Sequence, residues 1–289
     1  NRLGVWCIIY VTVVPTSHVY VLGDDYPNEE GNPTGPHSSA IALGPKAVLC
    51  CAHSLALFRD TMQQLQFGDA YWIQPSITID ASGQFTTQGR IDVELYKFSL
   101  ENDWAVLVRV DGNVFSPSEY AVVDDLPKPM PITPLIHEDA LLLHCPVALI
   151  NNILKANEYT VNVNVNGVVI QTGSSHHVHY NGNNTTRGSS GGALHMAGNA
   201  KVIGMHTSTL NEVNFEELDS NDKFAPTAKR SESEHDPYPT LPAKKKAKKQ
   251  CDSETIGSLC GGNQGQGSAL IISQFSKLVM YLKEANVVP

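Results

Sequence analysis

Asn184-Thr-Thr-Arg-Gly-Ser-Ser-Gly-Gly-Ala-Leu-His-Met-Ala-Gly-Asn-Ala-Lys-Val-Ile-Gly-Met-His-Thr-Ser208 sets one serine, Ser190, among glycines and follows it with a strand-like run ending in a histidine, His206. A hydroxyl attacks a carbonyl when it stands on a tight turn and nearby amide N–H groups can hold the oxyanion that forms. Gly188-Ser189-Ser190-Gly191-Gly192 offers both. Glycines permit a positive φ and close approach of a substrate, and the N–H groups of Gly188 and Ser190 can converge on one point. On these residues alone a flexible Gly/Ser loop is the competing reading.

Elsewhere the chain supplies a base and a carboxylate. Ala47-Val-Leu-Cys-Cys-Ala-His53 ends an apolar, β-branched run with a histidine, as expected where a buried strand delivers a side chain to a cleft. Glu101-Asn-Asp103-Trp-Ala-Val-Leu-Val-Arg-Val puts an aspartate at the mouth of a strongly apolar strand, where it can accept a hydrogen bond from an imidazole N–H. Each has a purely structural alternative: a strand-end histidine and a turn-forming aspartate.

The order His53, Asp103, Ser190, with Ala52-His53, Asp103-x-Ala105 and Gly188-x-Ser190-Gly191-Gly192, resembles the trypsin-like, chymotrypsin-fold serine proteases over roughly residues 36 to 210. The resemblance implies His53 as general base and then acid, Asp103 as orienter of the imidazole, Ser190 as nucleophile, and an oxyanion hole from the Gly188 and Ser190 amides. Because the triad occurs on other folds in other chain orders, this order also argues for a double β-barrel. Thr185 upstream of the serine and His206 on the next strand resemble the specificity pocket of the glutamyl endopeptidases and imply an acidic side chain before the cut. Similar viral cysteine proteases use their histidine for glutamine, which a neutral imidazole would suit. No aspartate lies in residues 183 to 187, which disfavours a Lys or Arg preference. A core His206 satisfied by Thr207 or Ser208 is the structural alternative. The chain departs from the family at Ser189, where aspartate is usual and receives a new N-terminal ammonium in zymogen-activated relatives. It departs also at Arg187, beside the oxyanion glycine, and at Ser54, where cysteine is usual.

Composition fits an intracellular enzyme, nuclear or cytoplasmic. At 289 residues and 42% hydrophobic there is material for two cores. The cysteines, Cys7, Cys50, Cys51, Cys145, Cys251 and Cys260, lack disulfide-framework spacing, so reduced thiols are expected. Sequons at Asn183 and Asn184 would set a glycan beside the serine, a further argument against secretion. Val5–Val14 is too short for a bilayer and reads as a strand.

The expected fold is all-β, with two antiparallel six-stranded β-barrels, a C-terminal helix and a disordered basic insertion. Residues 1–114 form the first barrel, with strand-like runs at Val5–Val14, Ser38–Leu43, Ala47–Ala52, Tyr71–Ile79, Ile91–Phe98 and Trp104–Val110. Residues 115–134 connect, and 135–210 supply the second barrel from Ala140–Leu143, Tyr159–Val165, Val168–Thr172, Gly192–Met196 and Lys201–His206. Residues 211–267, acidic, Ser/Pro- and lysine-rich with few large apolar side chains, are expected to be disordered. Residues 268–289 carry a helix with an apolar stripe of Leu270, Ile271, Phe275, Leu278, Val279 and Leu282. Lys229-Arg230 and the cluster Lys244–Lys249 resemble a bipartite signal for a nuclear-import receptor; a solvated charge run is the alternative. Lack of aromatic interleaving and a net charge of −9 argue against nucleic acid as partner. His176, His177, His179 and His195 suggest zinc, but no cysteine or carboxylate is paired with them, so no metal and no cofactor is assigned. Two functional readings follow: a serine endopeptidase acting on protein or peptide substrates, and an inactive protease-like module that binds them.

Overall fold

Successive side chains of a strand point to opposite faces, so a strand buried on both faces must be apolar throughout. Several strands here are of that kind. The computed structural model describes residues 15–27, 33–56, 65–80, 86, 88–122, 132–147, 159–183, 185–186, 188–197, 201–210 and 265–287. In chain order its first strands are β1 (Val19–Pro27), β2 (Pro33–Ala42), β3 (Ala47–Cys50), β4 (Ala70–Gln74), β5 (Ile77–Ile79), β6 (Ile91–Ser99) and β7 (Trp104–Arg109), with a single helical turn α1 (Ala52–Ala56) after β3. β8 (Asp139–His144), β9 (Tyr159–Val161), β10 (Asn164–Gly173), β11 (His177–Asn183), β12 (Ala193–Met196), β13 (Val202–Leu210), β14 (Gly265–Ile271) and the helix α2 (Ser276–Ala285) follow.

These strands close into two six-stranded antiparallel barrels, in the orders β1-β2-β3-β7-β6-β4 and β10-β11-β14-β13-β12-β8. β5 and β9 form a small separate sheet. This is the chymotrypsin-type arrangement that the resemblance implies. Tyr20, Leu22, Val48, Cys50, Ala105 and Leu107 fill the first barrel. Their neighbours Val19, Val21, Leu49, Cys51, Trp104 and Val106 belong to a second cluster shared with Leu143, Cys145, Ala193, Met205 and Leu270 of the other barrel. One strand set thus serves two cores, at about 1.5–3 kcal/mol for each fully buried Leu, Val or Ile. Leu142, Ile170, Val178, Tyr180, Leu194 and Ile203 fill the second barrel.

Several boundaries depart from the sequence reading. The run Tyr71–Ile79 breaks at Pro75-Ser76, because proline has no ladder N–H. The helix does not start at residue 268: Ser268–Ile271 belongs to β14, a short 3-10 turn covers Ile272–Gln274, and α2 begins at Ser276. Leu270 faces the shared core and Ile271 the second barrel, so these two apolar residues serve opposite faces of a strand. α2 buries Leu278, Leu282 and Ala285. Asn286 fastens its end to the first barrel, donating to Leu43 O at 2.8 Å and accepting from Lys46 N at 3.0 Å and Ala47 N at 2.9 Å. Among the described residues no helix is long and apolar enough to cross a membrane. Gly265–Gly267, expected to close the disordered insertion, instead open β14; Val5–Val14, Arg187, residues 211–264 with Lys229-Arg230 and Lys244–Lys249, Cys7, Cys251 and Cys260 lie outside the described residues.

Candidate active site

The first barrel supplies the base. β3 ends beneath α1, and the helical turn carries His53 to the surface, its side chain 37% exposed. Asp103 sits in the turn before β7, where φ of +53° holds it in the left-handed region. That region is sparsely populated except by Asn, Asp and Gly, and costs a residue with a Cβ of order 1 kcal/mol. What this conformation achieves is a two-point grip: Oδ1 accepts from the His53 main-chain N–H at 2.9 Å and Oδ2 faces His53 Nδ1 at 2.7 Å. A carboxylate can only accept, so Nδ1 carries the proton and Nε2 is left as acceptor. Nε2 lies 3.1 Å from Ser190 Oγ, which also lies 3.3 Å from Thr207 O. The three side chains named from sequence are therefore brought into one line.

Ser190 stands on the turn before β12. Gly188 and Gly191 have φ of +97° and +88°. A Cβ at Gly191 would lie 1.9 Å from Ser39 O, so only glycine allows β2 this close to the loop. Among the described residues no acceptor is assigned to the N–H of Gly188 or of Ser190, the two proposed oxyanion donors. The main chain of His206 underlies the loop, accepting from Gly191 N and donating to Gly192 O, both at 2.8 Å.

Ser189 is fully buried. Its hydroxyl accepts from Thr186 N at 3.0 Å and lies 2.8 Å from His144 Nδ1, whose Nε2 lies 2.9 Å from Asn166 Nδ2. A neutral chain thus occupies the position at which the resemblance leads one to expect an aspartate. Burial pushes the pKa of His144 down to about 4. Ser54, where cysteine was expected, meets the Ser38 hydroxyl at 2.8 Å.

His206 is 1% exposed, with Nδ1 2.6 Å from the Tyr180 hydroxyl. Burial first, then the nearby His144 and His53, push its pKa down to about 3 against a hydrogen bond to the Ser268 main chain. It is a neutral imidazole. Its satisfaction comes from Tyr180 and Ser268 rather than from its own neighbours. Thr185 is half-buried at the start of the loop. Cys50, Cys51 and Cys145 are free thiols. Burial raises all three, Cys145 to about 12, and the Asp103 carboxylate adds to the effect on Cys50 and Cys51.

His195 does not join His177 and His179: its Nε2 faces His18 Nε2 at 2.9 Å. Among the described residues, the group of three with metal-ligand chemistry is Cys51, His53 and Asp103, two of which are committed to the hydrogen-bonded line above. Sequence reading missed Ser38 and Ser39, which touch the nucleophile loop from the other barrel. Their signal was two adjacent hydroxyls beginning the apolar run Ser38–Leu43, where a buried hydroxyl needs a partner.

No protein-family model matches the sequence, and no curated protein matches it. Solved structures do align. The MamO protease domain from Magnetospirillum magneticum, apo form, is similar at 13% identity over 69% of this chain and 88% of that one, with a TM-score of 0.45. Deg5 is similar at 13% identity over 67% and 80%, with a TM-score of 0.43. An inactive form of Rv3671c from M. tuberculosis with its serine mutated to alanine aligns at 9% identity over 95% and 91%, with a TM-score of 0.48.

Proposed function

We propose that this chain is a serine endopeptidase working through an acyl-enzyme. The observation that supports this is the unbroken line from Asp103 Oδ2 through both nitrogens of His53 to Ser190 Oγ, at 2.7 and 3.1 Å. Ser190 Oγ gives its proton to His53 Nε2 as it bonds to the scissile carbonyl carbon, and the charge that forms on the carbonyl oxygen meets the N–H groups of Gly188 and Ser190. The imidazolium then protonates the leaving amine as the C–N bond breaks, and a water repeats the sequence on the ester. Asp103 holds the reactive tautomer throughout.

Substrate enters as an extended strand. Pairing of β12 with β13 ends at Ala193 and Met205, whereas β14 accompanies β13 as far as Leu210. Residues 207–210 thus extend beyond β12 on one edge, the geometry of strand addition. Before the cut the proposed residue is glutamine or glutamate, read from Thr185 and His206, with the burial of the His206 ring against Tyr180 favouring the neutral amide.

The test is labelling with a fluorophosphonate probe and cleavage of a peptide library, comparing the parent with Ser190→Ala. Covalent labelling and cleavage that both vanish in the variant are expected, with cuts after glutamine leading. Parent protein that is neither labelled nor able to cleave any peptide defeats the reading, and equal cleavage after unrelated side chains removes the glutamine preference.

A further inference from the structure

We propose that Ser39, assisted by Ser38, is a positioning residue of the first barrel that holds the oxyanion-forming loop of the second in shape. The inference rests on the endopeptidase reading and adds to it a role for side chains that take no part in the proton line.

Three successive peptide units make up the loop around Ser189. The first ends in the N–H of Gly188 and the third in the N–H of Ser190, so the direction of both donors depends on the middle unit, which runs from the Gly188 carbonyl to the Ser189 N–H. That middle unit is held at both ends. Ser39 Oγ donates to Gly188 O at 2.8 Å, and Ser189 N donates to Thr186 O at 3.0 Å. Ser39 Oγ is itself aimed by the Cys145 N–H, which donates to it at 2.9 Å. Since a hydroxyl has one proton and that proton is drawn to Gly188 O, the incoming Cys145 N–H fixes the rotor.

The carbonyl of the nucleophile is held from the same strand. Ser190 O accepts from Ser39 N at 2.9 Å and from Ser38 Oγ at 2.7 Å. Ser38 Oγ also points at Ser54 Oγ, 2.8 Å away, so its one proton faces two acceptors, Ser190 O and Ser54 Oγ. Ser38 Oγ thus stands between the helical turn that carries His53 and the main chain of Ser190. Ser38 and Ser39 are 1% and 0% exposed, so water does not compete for these bonds. The two strands meet closely enough that Gly191 has no room for a Cβ. Every contact in the clamp is neutral, so it needs no ammonium or carboxylate to form.

Displacing catalytic groups by about an ångström costs up to ~100-fold in rate. Ser39→Ala removes one of several restraints on the loop, so the expected loss is about 10-fold. It should appear in the maximal inactivation rate constant for the fluorophosphonate probe, with the probe's half-saturation concentration unchanged. Hydrogen exchange should accelerate in peptides covering residues 186–192 and stay unchanged in β3. Ser38→Ala, which keeps the Ser39 N–H on Ser190 O, should lose about threefold and serves if Ser39→Ala does not fold. The proposal is overturned if inactivation and loop exchange are unaltered, or if exchange rises across both barrels together with half-saturation, as a general loss of structure would produce. Should the parent protein resist labelling, the endopeptidase reading fails while the exchange measurement still decides the clamp.

Discussion

The two sides of the candidate site are built from opposite materials. On the first barrel the working groups are ionisable and partly wet: His53 is 37% exposed and Asp103 27%. On the second, Ser189, His144 and His206, the described polar side chains beneath Ser190, are dry, at 0%, 0% and 1% exposure. The difference follows from the cost of burying charge. In the proposed reaction an imidazolium forms and disappears and needs solvent and a carboxylate beside it, whereas a loop that must not move is better held by neutral hydrogen bonds, which can be buried at little penalty once paired. Proton traffic and loop rigidity are thereby kept in separate environments.

The contrast breaks most severely at Asp103. Asp103→Asn keeps the shape of the wet side but presents an N–H to Nδ1, favours the wrong tautomer, and should lower kcat by ~10⁴-fold with little change in Tm. Steady-state kinetics and a thermal melt would separate the two effects. The dry side should fail in acid instead. His144 and His206 take up protons near pH 6.5 in the unfolded chain but only at about 4 and about 3 when folded. Their native pKa values are lowered, so their contribution is complete above pH 6.5 and is lost as pH falls towards 4. The slope is at most about 1.4 kcal/mol per pH unit for each. Urea midpoints at pH 7 and pH 5 measure it, and a flat stability across that window contradicts neutral burial.

Smaller effects sharpen the seam between the halves. Gly191→Ala adds a Cβ against Ser39 O at a positive φ and should destabilise by about 3 kcal/mol, read as a lower urea midpoint, with labelling of Ser190 lost in step. Asn286→Ala removes the fastening of α2 to the first barrel, far from Ser190. About 1–2 kcal/mol of stability should go while kcat holds.

The three side chains of the hydrogen-bonded line were legible in the sequence because their surroundings are extreme. His53 and Asp103 each adjoin a run buried on both faces, and Ser190 lies among glycines. Strands whose burial is one-sided or whose bonding is mainly backbone were not. β1 contains Gly23-Asp24-Asp25, which reads as a turn until its pairing with β2 is seen. In β11 the buried Val178 and Tyr180 alternate with histidines that suggested metal binding instead. Gly265-Gln-Gly-Ser of β14 carries almost no apolar signal and is held by ladders to β11 and β13. Thr185 and His206 were placed beside the nucleophile by resemblance; burial of His206 against Tyr180 is a tertiary fact that no local pattern encodes.

β14 lies between β11 and β13 in space, yet residues 211–264 separate it from β13 along the chain. A cut in that interval would put β14 and α2 on one piece and every other described strand on the other. The smaller piece, seated by two backbone ladders and anchored through α2 and Asn286 on the opposite barrel, would stay docked as a non-covalent partner. Two separately made fragments mixed in solution should then reconstitute the whole.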